Sequence, residues 1–224
     1  LELNEMANKP VKTAVVTGGH PFDVVNFHHL FQELAGVQAY VQHMDDFAYA
    51  SEQERDSYEC VVFYTMLREE PRDEGLPGYA GKPRAALEHL GETAQGILLL
   101  HHAILGSAGW PLWNELVGIE DRSFGYHHDQ SVPVETVHGS HPITRGVASW
   151  EMIDETYTMA DAGADSEVLL TTNHPKSMRT LAWTRTHKNA RVFCYQCGHD
   201  NQTWANGSFR EILQRGIRWC ARRT

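Results

Sequence analysis

Short apolar runs alternate with amphipathic stretches through the first half of the chain. "KTAVVTG" (12–18), "VQAYVQHM" (37–44), "ECVVFYT" (59–65) and "GILLL" (96–100) each have the length and composition of a strand. After the first run, Asp23 is placed to cap a helix extending to about Ala35, since its carboxylate can accept from the orphan N–H groups of a first turn. A charged loop bearing Pro and Gly, "LREEPRDEGLPG", leads to a second expected helix near 82–91. "GILLL" has no polar position, which predicts a strand covered on both faces. Strands alternating with helices imply a mostly parallel, doubly wound sheet.

The second half has a different rhythm. "VPVETV" (132–137), "DETYTM" (154–159), "EVLLTT" (167–172), "TLAWTR" (180–185) and "RVFCYQ" (191–196) follow one another with turns between, as antiparallel additions and hairpins do. An amphipathic helix is expected from about Asn206 to Arg222, with Phe209, Ile212, Leu213 and Ile217 on one face. Repeats, low-complexity segments and linkers are absent, so the reading is one α/β domain over 10–224. Residues 1–9 are read as a tail outside the fold, with Met6 the expected natural start.

Composition narrows the function classes. With 224 residues, 42% of them hydrophobic, the chain can bury a full core. The formal net charge of −10, unbroken by any Lys/Arg run, argues against nucleic acid and anionic membrane surfaces as partners. No apolar stretch approaches the roughly 18 residues of a membrane span, and the polar N-terminus has no signal-peptide core. Four scattered cysteines fit a reducing, cytoplasmic setting. Cys194 and Cys197 have CxxC spacing, but no second pair completes a zinc site, and they are read as structural thiols.

The 14 histidines change the picture most, because many stand at expected strand ends or in loops. Ligands in open α/β sheets bind beyond the carboxyl ends of the strands. Three segments should converge there: "GGHPFD" (18–23), His101-His102, and "CGHDNQTW" (197–204). None is a phosphate loop. The turn after "GILLL" is where hydrolases and amidotransferases carry a Ser or Cys nucleophile. Imidazoles stand there instead, suited to act as acid, base or metal ligand. In continued strand geometry His101 and His102 would point to opposite faces, so one of them, preferentially His102, is expected in the cleft. His199 and His20 are further candidates, and Trp110 and Trp204, set among Gly, Pro, Asn and Thr, are candidate plates for the C–H face of a sugar. His127, His128 and Asp129 fall in a stretch read as irregular.

An ordered series of segments resembles the ThuA-like (trehalose-utilisation) family: "GGHPF", "GILLLHHA", "NELVG", "HPITRGV", "DETY", "AWTR" and "CGHDNQTWANGSFREILQRGIRW", spanning about 12–220. The resemblance implies a flavodoxin-like, class I glutamine amidotransferase-like fold without the catalytic cysteine. It also implies a sugar-linked role, with Glu155, His102 and His199 at the family's recurring polar positions. The expected ligand is therefore a small sugar or sugar derivative; the oligomeric state is left open, a homo-oligomer included, and glutaminase activity is not expected. Three functions stay open: a sugar or keto-sugar enzyme using His/Glu proton transfer, a divalent-metal enzyme, and a non-catalytic sugar-binding or regulatory protein. For metal, histidine abundance is the only signal in the sequence, and no cofactor is assigned.

Overall fold

The computed structural model describes residues 9–223, so most of the expected N-terminal tail, Met6 included, lies outside the described residues. Nine strands form one sheet: β1 (Val11–Gly18), β2 (Val37–His43), β3 (Cys60–Thr65), β4 (Gly96–Leu100), β5 (Gly125–Thr136), β6 (Trp150–Thr158), β7 (Glu167–Thr171), β8 (Thr180–His187) and β9 (Ala190–Tyr195). Their spatial order is β2-β1-β3-β4-β9-β8-β7-β5-β6. The pairs from β2 through β9 are parallel and those from β9 through β6 antiparallel. The parallel part has the 2-1-3-4-5 order of flavodoxin-like sheets.

Every residue of β3 and β4 is buried, because helices cover both faces of the parallel region. The side chains alternate between two cores. Cys60, Val62, Tyr64, Leu98 and Leu100 pack with α1 (Val24–Gln32) and the long C-terminal helix α7 (Gly207–Cys220). Val61, Phe63, Ile97 and Leu99 pack on the other side with α2 (Met44–Tyr49), α4 (Pro83–Glu88) and α5 (Pro111–Val117). The two-residue period of the pleat makes this division. Asp23 caps α1 by accepting from the Asn26 N–H, as expected, and Asn206 caps α7 through Phe209 N–H.

Several spans differ from the sequence reading. A helix follows β2 directly, with Asp45 and Asp46 in the first turn of α2, and α3 (Glu52–Asp56) follows under its own Ser51–Glu54 capping box. A short helix α6 (Asn201–Trp204) precedes α7. The stretch around His128 is strand, not irregular coil: β5 begins at Gly125 and pairs with β6. Glu155 accordingly lies well inside β6 rather than at its start.

Gly96 shows how closely α7 sits on the sheet. A Cβ there would stand 2.5 Å from the backbone carbonyl carbon and the Cβ of Cys220. Gly96→Ala is expected to lower stability by roughly 1–3 kcal/mol, read by urea or thermal unfolding. A change within about 0.5 kcal/mol, the range of ordinary surface substitutions, would contradict this seating of α7.

Candidate active site

The parallel register brings the ends of β1, β3, β4 and β9 to one edge, where Leu100 lies opposite Tyr195 and Gly18 opposite Thr65. A cavity of about 560 Å³ opens there, lined among others by His20, His102, Arg122, Tyr126, His128, Glu155 and Tyr157. The chain leaves β4 abruptly. His101 has φ +53°, in the left-handed region, and opens a 3-10 turn over 101–105. A strained residue at a strand-to-helix turn is the backbone of a nucleophile elbow; here an imidazole occupies it. Arg122 clamps the turn from behind, donating to the carbonyls of Ile104, Gly106 and Ser107 and to Asn114 Oδ1. Burial lowers the Arg122 pKa to about 10.

The turn keeps both histidines at the edge instead of on opposite faces, with ring centroids 5.5 Å apart. His101 is fully buried. Its Nδ1 donates to Gln196 O at 2.7 Å, because a carbonyl can only accept. Its Nε2 faces Tyr157 Oη at 2.6 Å, His199 Nδ1 at 3.2 Å and Glu155 Oε1 at 3.4 Å. His102 lines the cavity itself, between the rings of His20 at 4.5 Å and Tyr64 at 4.2 Å. Neither of its ring nitrogens has a well-aligned hydrogen-bond partner. Burial, then the fields of His101 and His20, push its pKa down to about 2 against a weak contribution from the Tyr64 backbone, so the ring is neutral. A neutral imidazole with two unmet nitrogens suits hydrogen bonding to a ligand better than acid catalysis.

Glu155 reaches the cavity because β6 is fastened across the sheet edge. Asp154, buried beside it, accepts from the backbone N–H of Gly198 and His199 and from Thr203 Oγ1 at 2.8–3.0 Å. Gln196 Nε2 donates to Glu155 O. Burial opposes ionisation of Glu155, but the hydrogen bond and field of His101, then the field of His199 and the Tyr157 hydroxyl, outweigh it and hold the carboxyl at about 2. Glu155 Oε2 meets His128 Nδ1 at 2.8 Å. That contact depends on a β-bulge: the β5–β6 register shifts between His127 and Gln130, and Asp129 has φ +54°. For His199, burial and the field of His101 lower the pKa against the opposing carboxylates.

The structure thus brings His20, His101, His102, Glu155 and His199 together; His101 and His199 touch Glu155 from behind the cavity wall. It does not bring in the two tryptophans. Trp110 stacks on Trp113 in the core, and Trp204 packs on Phe27 and Tyr64 while donating to Gly198 O. Both are buried and act in packing, which corrects their reading as sugar plates. The exposed aromatic surfaces on the cavity are Phe124 and Tyr126. The sequence reading passed over His128, Tyr157, Asp154 and Arg122. Tyr157 carried a usable signal, since it shares a strand face with Glu155 two residues away. The four cysteines are buried free thiols; burial raises the pKa of Cys194 and Cys197, and neither faces the cavity.

This arrangement defines an amidotransferase-like α/β fold whose elbow carries histidine. A glutamine amidotransferase from Thermotoga maritima superposes with a TM-score of 0.53 at 9% identity, covering 94% of this chain and 98% of that one. The chain belongs to the ThuA family, described as trehalose utilisation, whose sequence profile matches residues 15–220. A putative ThuA-like protein from Parabacteroides merdae superposes with a TM-score of 0.70 at 20% identity over 95% of this chain and 90% of that one. A cytoplasmic protein from Salmonella typhimurium gives 0.64 at 14% identity, covering 93% and 98%. Comparison with curated protein sequences gave no match. No helix among the described residues is long and apolar enough to cross a membrane.

Asp154 is the fastening to test. Each buried donor left without a partner costs about 1–3 kcal/mol, so Asp154→Ala is expected to destabilise by roughly 3 kcal/mol. Faster hydrogen exchange at the Gly198 and His199 amides should accompany the loss. Unchanged exchange there, with stability within about 0.5 kcal/mol of the parent, would show that β6 is held by other contacts.

Proposed function

We propose that the protein is an enzyme of carbohydrate metabolism that binds a small sugar or keto-sugar in the cavity and transfers a proton to or from it. The carrying observation is the Glu155 carboxylate, buried at the cavity wall and ringed by His101, His128 and His199. The cavity lies within the range of small-molecule sites, roughly 300–1,000 Å³. It offers exposed aromatic rings at Phe124 and Tyr126 for sugar C–H faces, and hydrogen-bonding groups at His102, His20 and Tyr157 for hydroxyls.

His128 is the proton carrier in this reading. It is exposed at the cavity, and Glu155 Oε2 fixes its ring through Nδ1, which leaves Nε2 for the substrate. A carboxylate-oriented imidazole can remove a proton next to a carbonyl, or protonate a departing sugar oxygen. His102 binds rather than titrates. Membership of a trehalose-utilisation family supports the substrate class, and trehalose, glucose and their keto derivatives are the compounds to try first.

The test combines melting temperature with turnover across that panel. At least one sugar is expected to stabilise the protein and be converted. His128→Ala and Glu155→Gln should each cut turnover by about 100-fold or more with little change in melting temperature, and His102→Ala should weaken stabilisation by the sugar. Full turnover in Glu155→Gln, or a panel in which nothing stabilises and nothing is converted, would overturn the proposal. Stabilisation without conversion would make the protein a sugar-binding module instead.

A further inference from the structure

Glu155 Oε1 stands farther from two imidazoles than a close charge-assisted hydrogen bond would bring it. Glu155 Oε1 lies 3.4 Å from His101 Nε2 and 3.6 Å from His199 Nδ1, and those nitrogens are 3.2 Å apart. A charge-assisted N–H···O bond is shorter, about 2.7–2.9 Å. The same carboxylate supplies the comparison: its other oxygen meets His128 Nδ1 at 2.8 Å, within that range. Oε1 therefore keeps longer contacts with its two imidazoles than Oε2 makes with His128.

A metal ion accounts for these longer contacts. Bonds of about 2.0–2.1 Å to histidine nitrogen and carboxylate oxygen, arranged tetrahedrally, put neighbouring ligand atoms roughly 3.3–3.4 Å apart. The three observed separations scatter about that value. The geometry points to a divalent transition-metal site of the zinc class, with His101 Nε2, His199 Nδ1 and Glu155 Oε1 as ligands. Two histidines and one carboxylate leave a coordination position for water or substrate oxygen, as catalytic zinc sites do. The inference rests on reading the cavity as the active site, because the ion would polarise a sugar carbonyl or hydroxyl there.

The surroundings have the features that hold metal ligands in place. Gln196 O accepts from His101 Nδ1 and so directs Nε2 inward as a lone pair. Asp154 fixes the backbone that carries His199. Glu155 divides its oxygens, one for the ion and one for His128. The Tyr157 hydroxyl donates to His101 Nε2 at 2.6 Å and would give up that bond when an ion takes the nitrogen's lone pair. No cysteine belongs to the set, and the donors are nitrogen and oxygen, which suits zinc, cobalt, manganese or ferrous iron. The only other His/carboxylate grouping of this kind among the described residues, Glu52, Asp56 and His89, lies partly exposed and away from the cavity.

The test uses the full chain stripped with a chelator, then titrated with Zn²⁺ or Co²⁺ alone. One equivalent is expected to bind, and the Co²⁺ form should show visible d–d absorption without a thiolate charge-transfer band. Loss of an outer partner alone costs 10–100-fold in affinity. Glu155→Gln and His199→Asn should therefore each weaken binding by at least about 100-fold, with Asp56→Asn as an unaffected control. Melting of the metal-free variants separates lost binding from lost folding, and the wild-type cobalt spectrum reads the ligand set without any substitution. Absence of stoichiometric binding, a thiolate band, retention of affinity in both ligand variants, or loss confined to Asp56→Asn would each overturn the site. Sugar turnover by a chelator-treated, metal-free enzyme would remove the metal and leave the proton-transfer reading standing. Metal binding with no response to any sugar would do the reverse.

Discussion

The Asp154 carboxylate is buried without a cationic side chain bonded to it, and the geometry of the site depends on how it is satisfied. Three backbone N–H groups and a threonine hydroxyl converge on it: Glu155 in the same strand, Gly198 and His199 in the loop that leaves β9, and Thr203 in the helix that follows. Taking a carboxylate out of water costs several kcal/mol; burial raises the Asp154 pKa, and the field of His101 and those donors oppose the rise. In return the Gly198, His199 and Thr203 donors bind β6, a strand of the antiparallel extension, to the carboxyl edge of the parallel sheet. Glu155 is the next residue. Its arrival among histidines from the turn after β4, from β5 and from the 196–200 loop follows from where Asp154 is fastened, together with the Gln196 Nε2 bond to its own carbonyl.

The other half of the arrangement is the abrupt end of β4. The amidotransferase-like fold supplies a strand that is apolar on both faces and stops in a turn with one residue at positive φ. In hydrolases such a turn presents a nucleophile. Here the same backbone presents His101, whose Nδ1 is tied to the neighbouring strand's crest and whose Nε2 is turned inward. The fold preserves the position and orientation while the chemistry at that position differs, so its resemblance to amidotransferases says little about reaction.

Much of this frame was legible in the sequence because it rests on local periodicity. The apolar runs of β3 and β4, the Asp23 cap and the amphipathic α7 are written in neighbouring residues, and the antiparallel rhythm of the second half is equally local. What was not legible depends on tertiary placement. "GYHHDQS" has no apolar face, since this part of β5 borders the cavity and solvent, and so it gave no strand signal; its bulge then aims His128 at Glu155. The alternation argument for His101 and His102 assumed that strand geometry continued past Leu100, whereas the chain turns there and keeps both rings at the edge. Trp110 and Trp204 have polar and turn-forming neighbours, yet their indoles swing into the cores. Local composition reports where the backbone goes, not where a large side chain points.

Charge balance links the two levels of the site. Asp154 and Glu155 place two carboxylates in adjacent buried positions, and their fields raise the pKa of Tyr64 and Tyr157, already driven up by burial. Arg122 borders the same cavity, but its donors are taken by three carbonyls and Asn114, so it does not approach either carboxylate. Burial raises the Asp154 pKa and hydrogen-bond donors already meet that carboxyl, so further compensation can come from protons on the surrounding imidazoles or from a bound cation. His102 is excluded from the first role by its burial and by neighbours that disfavour a second positive charge. His101 already commits one nitrogen to a carbonyl and has a single inward nitrogen left, which can hold either a proton or a metal. Tyr157 Oη, 2.6 Å away, is the nearest partner of that nitrogen, and Oε1 lies farther off at 3.4 Å. The unequal distances around one carboxylate are what the metal-site proposal rests on.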